Sequence, residues 1–177
     1  MKILIAYTSK NGTTAECVRR LSAFLSGTDT TVADLSGEHP DPSGYDMILA
    51  GGSVRFGKLS RELRHFLTAE REVLLQKRLG LFLCCGLAHE QEYYIEKLFP
   101  KELRASAFSV MYFGGSLRCS SASLFDRLLL RSMRSSLAES EIEDGEYTPS
   151  LPGILPENIE RLSSFARREI SLLKDAK

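Results

Sequence analysis

At 177 residues, 43% of them hydrophobic and 26% charged, the chain has the size and composition of about one globular domain, which sets intrinsic disorder aside. Its 23 lysines and arginines balance 23 aspartates and glutamates without forming a dense basic block, so nucleic-acid binding is excluded as the main activity. No apolar run approaches the ~20 residues that cross a bilayer and the N-terminus lacks a secretory pattern, so the chain reads as one cytoplasmic domain over residues 1–177.

KILIAYT (2–8) reads as a buried strand, and the spacing after it predicts a helix over 13–25 with Cys17, Val18, Leu21, Phe24 and Leu25 on one face. TTVADL (30–35) and DMILAGG (46–52) read as the second and third strands, separated by the turn-rich HPDPSGY. SRELRHFLTAEREVLL (60–75) predicts one helix and RLGLFLCCG (78–86) the fourth strand. HEQEYYIEKLF (89–99) predicts a helix stopped by Pro100, and AFSVMYFGG (107–115) the fifth strand. Two more helices are predicted over 122–138 and 156–174. The second has Pro156 in its first turn and Ile159, Leu162, Phe165, Ala166, Ile170 and Leu173 on one face. Continuous apolar strands alternating with helices imply an α/β fold, a doubly wound five-stranded parallel sheet with helices on both faces.

Such sheets bind ligands beyond the carboxyl ends of their strands. The first loop there is TSKNGTT (8–14), where Thr8, Ser9, Lys10, Asn11, Gly12, Thr13 and Thr14 precede or open a helix. Its hydroxyls and the first helical N–H groups read as an anion nest, with Gly12 allowing close approach and Asn11 tolerating a left-handed turn. A phosphomonoester suits that donor count; the alternative is a well-capped helix without a ligand. Neither G-x-G-x-x-G nor a Walker loop is present. Cys17, Cys84, Cys85 and Cys119 form no C-x-x-C, and His39, His65 and His89 lack ligand spacing, so no metal site is expected. Cys84 and Cys85 read as small buried hydrophobes.

Ser9, Gly12 and Thr14 match the phosphate loop of the flavodoxin family, which the chain resembles, with Asn11 in place of a usual threonine. AGGSVRFGKLSRELRHF (50–66) resembles the family's second loop around FMN, with Ser53, Val54, Arg55, Phe56 and Gly57 at the cofactor. FGGSLRCSSASLFDRLLLRSM (113–133) is similar to a segment of the flavodoxin-type, menaquinone-dependent protoporphyrinogen dehydrogenases, which share the Ser53–Gly57 pattern and Leu117, Arg118, Asp126 and Arg127. The resemblance implies strand order 2-1-3-4-5, FMN as cofactor, and an oxidoreductase in which Arg55 and Arg118 meet substrate carboxylates. Phe56 offers a face for the flavin ring, its alternative being a core aromatic. The resemblance also implies that the Phe56 carbonyl can turn toward flavin N5. In the third loop, Cys85, Gly86 and Leu87 are expected to offer backbone N–H groups to the pyrimidine edge, with Tyr93 and Tyr94 too far along their helix to cover the ring; His89 reads as a solvated loop histidine, the alternative being a proton donor at that edge.

The expected partner is a quinone or a redox protein. Arg127, Arg131 and Arg134 share a helical face that suits peripheral contact with an anionic membrane; the alternative is a solvated face. A flavodoxin-type electron carrier with no substrate of its own is the competing reading. The neutral charge argues against it, since carriers of that family are usually strongly acidic.

Overall fold

The computed structural model describes residues 1–85, 91–115 and 153–175. In chain order these form β1 (Lys2–Thr8), α1 (Thr13–Phe24), β2 (Asp29–Asp34), a 3-10 turn (Pro42–Gly44), β3 (Met47–Ser53), α2 (Arg61–Ala69) and α3 (Arg71–Gln76). Then come β4 (Arg78–Cys84), α4 (Gln91–Leu98), α5 (Lys101–Ser106), β5 (Ser109–Tyr112) and α6 (Pro156–Asp175). The strands form one all-parallel sheet in the order β2-β1-β3-β4-β5. This is the doubly wound arrangement expected, and it places the ends of β1 and β3 side by side where the strand order reverses.

Alternation along the strands divides the core in two. Leu4, Ala6, Ile48 and Leu81 pack on one face against Leu63, Phe66 and Leu67 of α2. Ile3, Ile5, Leu49 and Phe82 pack on the other against Cys17 and Leu21 of α1 and Leu162 of α6. Both faces of β3 are filled, and Gly51 has no room for a side chain because a Cβ would run into the Phe82 ring and carbonyl. That ring stacks on Phe113 with centroids 4.9 Å apart.

Several expectations need correction. The single helix over 60–75 is broken at Glu70, whose ψ of 12° ends α2 and starts α3. Unbroken, it would carry a carboxylate on the stripe of Leu63, Phe66, Leu67 and Leu74; the break leaves Glu70 partly exposed. α5 was hidden because it is only six residues long and follows a helix-stopping proline, yet Pro100 is its N-cap and Leu103 anchors it. Phe24 and Phe165, assigned to core faces, are 37% and 39% exposed, at the margins of their apolar stripes. β4 stops at Cys84, and β5 spans only 109–112, its flanks continuing as loop. The helix expected over 89–99 is Gln91–Leu98 in the described residues, and the helix expected over 122–138 lies outside them.

A candidate nest and ring edge at the sheet switch point

β1 delivers its last residues to the carboxyl edge of the sheet, and the chain turns into α1 through Ser9 to Gly12. Gly12 is the N-cap, at φ 83°, and supplies no side-chain cap. A Cβ there would meet nothing within 4 Å, so the turn faces open space. The Ala15 N–H donates to Ser9 Oγ at 3.2 Å, which leaves the Ser9 proton for another acceptor. Lys10 and Asn11 are exposed at the tip.

Thr14 is 1% exposed, and its Oγ1 has no oxygen or nitrogen partner; the Cys84 thiol beside it offers only a weak hydrogen bond that falls short of good geometry. A hydroxyl so buried normally finds a partner, and leaving it without one costs about 1–3 kcal/mol. Glu16 lies in the same first turn, where its charge would compete with a bound anion. Its carboxylate is instead taken up by Arg19 at 2.9 Å and Arg20 at 2.7 Å, and these hydrogen bonds lower its pKa to about 2. The residues from 9 to 14 therefore fit a phosphomonoester: an open left-handed turn, a helix N-terminus, and an unpartnered hydroxyl beneath.

Thr8 does not join them. With Leu4 and Ala6 it points to the α2 face, is 4% exposed, and accepts a hydrogen bond from Ser60 Oγ at 3.1 Å. The alternation of β1 carried this signal, and grouping the hydroxyls by sequence proximity hid it.

The second loop is a tight hairpin. Val54 N–H donates to the Cys84 carbonyl at 2.9 Å, and Arg55 and Lys58 exchange backbone hydrogen bonds at 2.9 and 3.0 Å. The two residues between, Phe56 and Gly57, have φ of 50° and 68°, as a two-residue turn of the primed type requires. A left-handed phenylalanine costs about 1–2 kcal/mol. Phe56 is 57% exposed, so it is not a core aromatic. The Arg55 guanidinium carbon lies 5.6 Å from its ring centroid.

Tyr94 reaches this turn. Its ring edge is 3.9 Å from where a Gly57 Cβ would stand, and it packs T-shaped on Tyr93 at 5.4 Å. Tyr94 thus lies nearer the second loop than its place along the helix suggests, whereas Tyr93 is 54% exposed. Cys85 is buried and its backbone is committed on both sides, the N–H to the Gly114 carbonyl at 3.0 Å and the carbonyl to the Tyr112 hydroxyl at 2.5 Å. Its N–H therefore does not present itself to a pyrimidine edge. Gly86, Leu87, His89, Arg118, Arg127, Arg131 and Arg134 lie outside the described residues.

A parallel 2-1-3-4-5 sheet with an open helix-initiating turn after β1 and a strained aromatic turn after β3 defines a doubly wound α/β protein whose switch point is where such folds bind ligands. The chain belongs to a flavodoxin family: residues 4–142 match the family model described as "Flavodoxin domain". No curated protein matches it. Among solved structures, the flavodoxin of Fusobacterium nucleatum bound to flavin mononucleotide is similar at a TM-score of 0.55 and 14% identity, covering 95% of this chain and 98% of its own. A Streptococcus pneumoniae flavodoxin has the same score and identity, over 96% and 99% of the two chains. The Flv1 flavodiiron core of a Synechocystis species is similar at 0.56 and 13% identity over 100% of this chain and 37% of that longer one. At these identities the likeness is one of fold.

Proposed function

We propose that the chain binds FMN between the 9–14 nest and the 53–57 turn and acts as an oxidoreductase resembling the quinone-dependent protoporphyrinogen dehydrogenases. The observation that carries the cofactor is Thr14: its buried hydroxyl lacks a partner in the nest that would receive the phosphate. Bound FMN supplies reversible one- and two-electron chemistry. Ser9, Thr14 and the N-terminus of α1 would hold its phosphate and Phe56 its ring, with Tyr94 flanking the turn that carries Phe56.

For an enzyme rather than a carrier, the supporting feature is Arg55, a cation held next to Phe56 where a substrate approaching the ring would arrive. Arg55 and, on sequence grounds, Arg118 then hold substrate carboxylates through charge-assisted hydrogen bonds. Arg55→Ala and Arg118→Ala should each cut turnover of protoporphyrinogen with a menaquinone analogue at least tenfold while FMN stays bound, the loss expected for one charged hydrogen bond of about 1.5–3 kcal/mol. The competing carrier reading draws on the exposure of Phe56, which offers a partner protein an aromatic contact at the ring. No turnover by the parent chain, together with electron exchange with a flavodoxin reductase, would establish the carrier instead.

A further inference from the structure

The hydroxyls of Ser60 and Thr8 meet at 3.1 Å although 52 residues separate them in sequence. Ser60 is the N-cap of α2 and its Oγ accepts the Leu63 N–H at 3.1 Å, so its single proton is free to go to Thr8. Thr8 is the last residue of β1, directly before the nest, and Ser60 follows two residues after Lys58 closes the Phe56 hairpin. Gly52 makes room for the contact, since a Cβ there would stand 2.6 Å from Thr8 Oγ1. Three elements thus interlock beneath the two halves of the site. The bond is part-buried, where competition from water is weak.

We infer that Ser60 and Thr8 form a positioning brace that sets the distance between the phosphate seat and the ring seat. The inference rests on the FMN reading above. In this reading the two hydroxyls act on each other and not on the ligand. FMN is bivalent, a phosphate at one end and a ring at the other, and its affinity depends on both seats being correctly spaced when the first end has bound. Riboflavin uses the ring seat alone and inorganic phosphate the nest alone, so neither senses the spacing.

The test compares three probes on the parent chain, Thr8→Val, Thr8→Ser and Thr14→Val, with folding checked by circular dichroism. FMN and riboflavin are followed by fluorescence quenching and inorganic phosphate by amide chemical shifts. Thr8→Val, which keeps the side-chain volume and the Ser60 cap, should weaken FMN about fivefold or more, the worth of one hydrogen bond, and leave riboflavin and phosphate unchanged. Thr8→Ser should restore FMN binding. Thr14→Val, by contrast, should weaken FMN and phosphate together. Loss of phosphate binding in Thr8→Val would make Thr8 a nest donor and overturn the brace, as would parental FMN affinity in that variant or an equal loss of riboflavin. A parent chain that binds no FMN would sink the cofactor reading itself, a result separate from any of these.

Discussion

In the proposed site, Thr14 is a side chain that opposes stability where it would serve binding. In the ligand-free chain its hydroxyl is buried without a partner, a cost of about 1–3 kcal/mol that valine would not carry. Thr14→Val should therefore leave the ligand-free melting temperature unchanged or raise it, while FMN affinity falls about tenfold to a hundredfold through loss of a hydrogen bond to a dianion. Thermal melts without ligand and fluorescence titrations with it check the two halves. A lower melting temperature for the variant would mean that the hydroxyl is already satisfied. Gly114 makes the opposite case, a residue fixed by sterics alone. At φ 74° a Cβ would run into the Gly153 carbonyl and the Leu155 side chain, where α6 begins. Gly114→Ala should destabilise the chain by about 2 kcal/mol or more in denaturant unfolding.

At the scale of elements, the hairpin between β3 and α2 concentrates strain at Phe56. Phe56→Gly should relieve about 1 kcal/mol of left-handed strain, offset in part by the added freedom of the unfolded chain, and should loosen flavin binding. A variant clearly less stable than the parent would show that the ring packs more tightly than its exposure indicates. Sequence reasoning succeeds where the apolar signal is continuous: β1, β3 and β4 were announced by apolar runs because they are buried on both faces, while the mostly exposed edge strand β2 gave a weaker signal. It fails where the signal is not periodic. The break at Glu70 carries no glycine or proline, and α5 is shorter than two turns. The Thr8–Ser60 contact joins hydroxyls 52 residues apart, a distance no local pattern spans. The turn into α1 was legible because its residues are contiguous, whereas the approach of Tyr94 to Gly57 depends on how α4 docks.

For the whole molecule, the buried phenol of Tyr112 sets a limit on the alkaline side. Burial, reinforced by the Cys85 and Cys84 thiols, pushes its pKa well above the ordinary value of 10, and burial with Asp34 and Glu38 raises that of Tyr7. A raised acid pKa stabilises the fold fully below the unfolded value and less as pH climbs from there toward the folded value. Melting temperature should accordingly fall above about pH 10. Tyr112→Phe should flatten that decline, at the cost of the hydroxyl's bond to the Cys85 carbonyl. Among the described residues no helix is long and apolar enough to cross a membrane. The most direct test of the account is the affinity of the parent chain for FMN against riboflavin, which differ only in the phosphate. A nest of this kind predicts FMN binding at least a hundredfold tighter, about 2.7 kcal/mol or more. Equal affinities, or no binding of either, would contradict it.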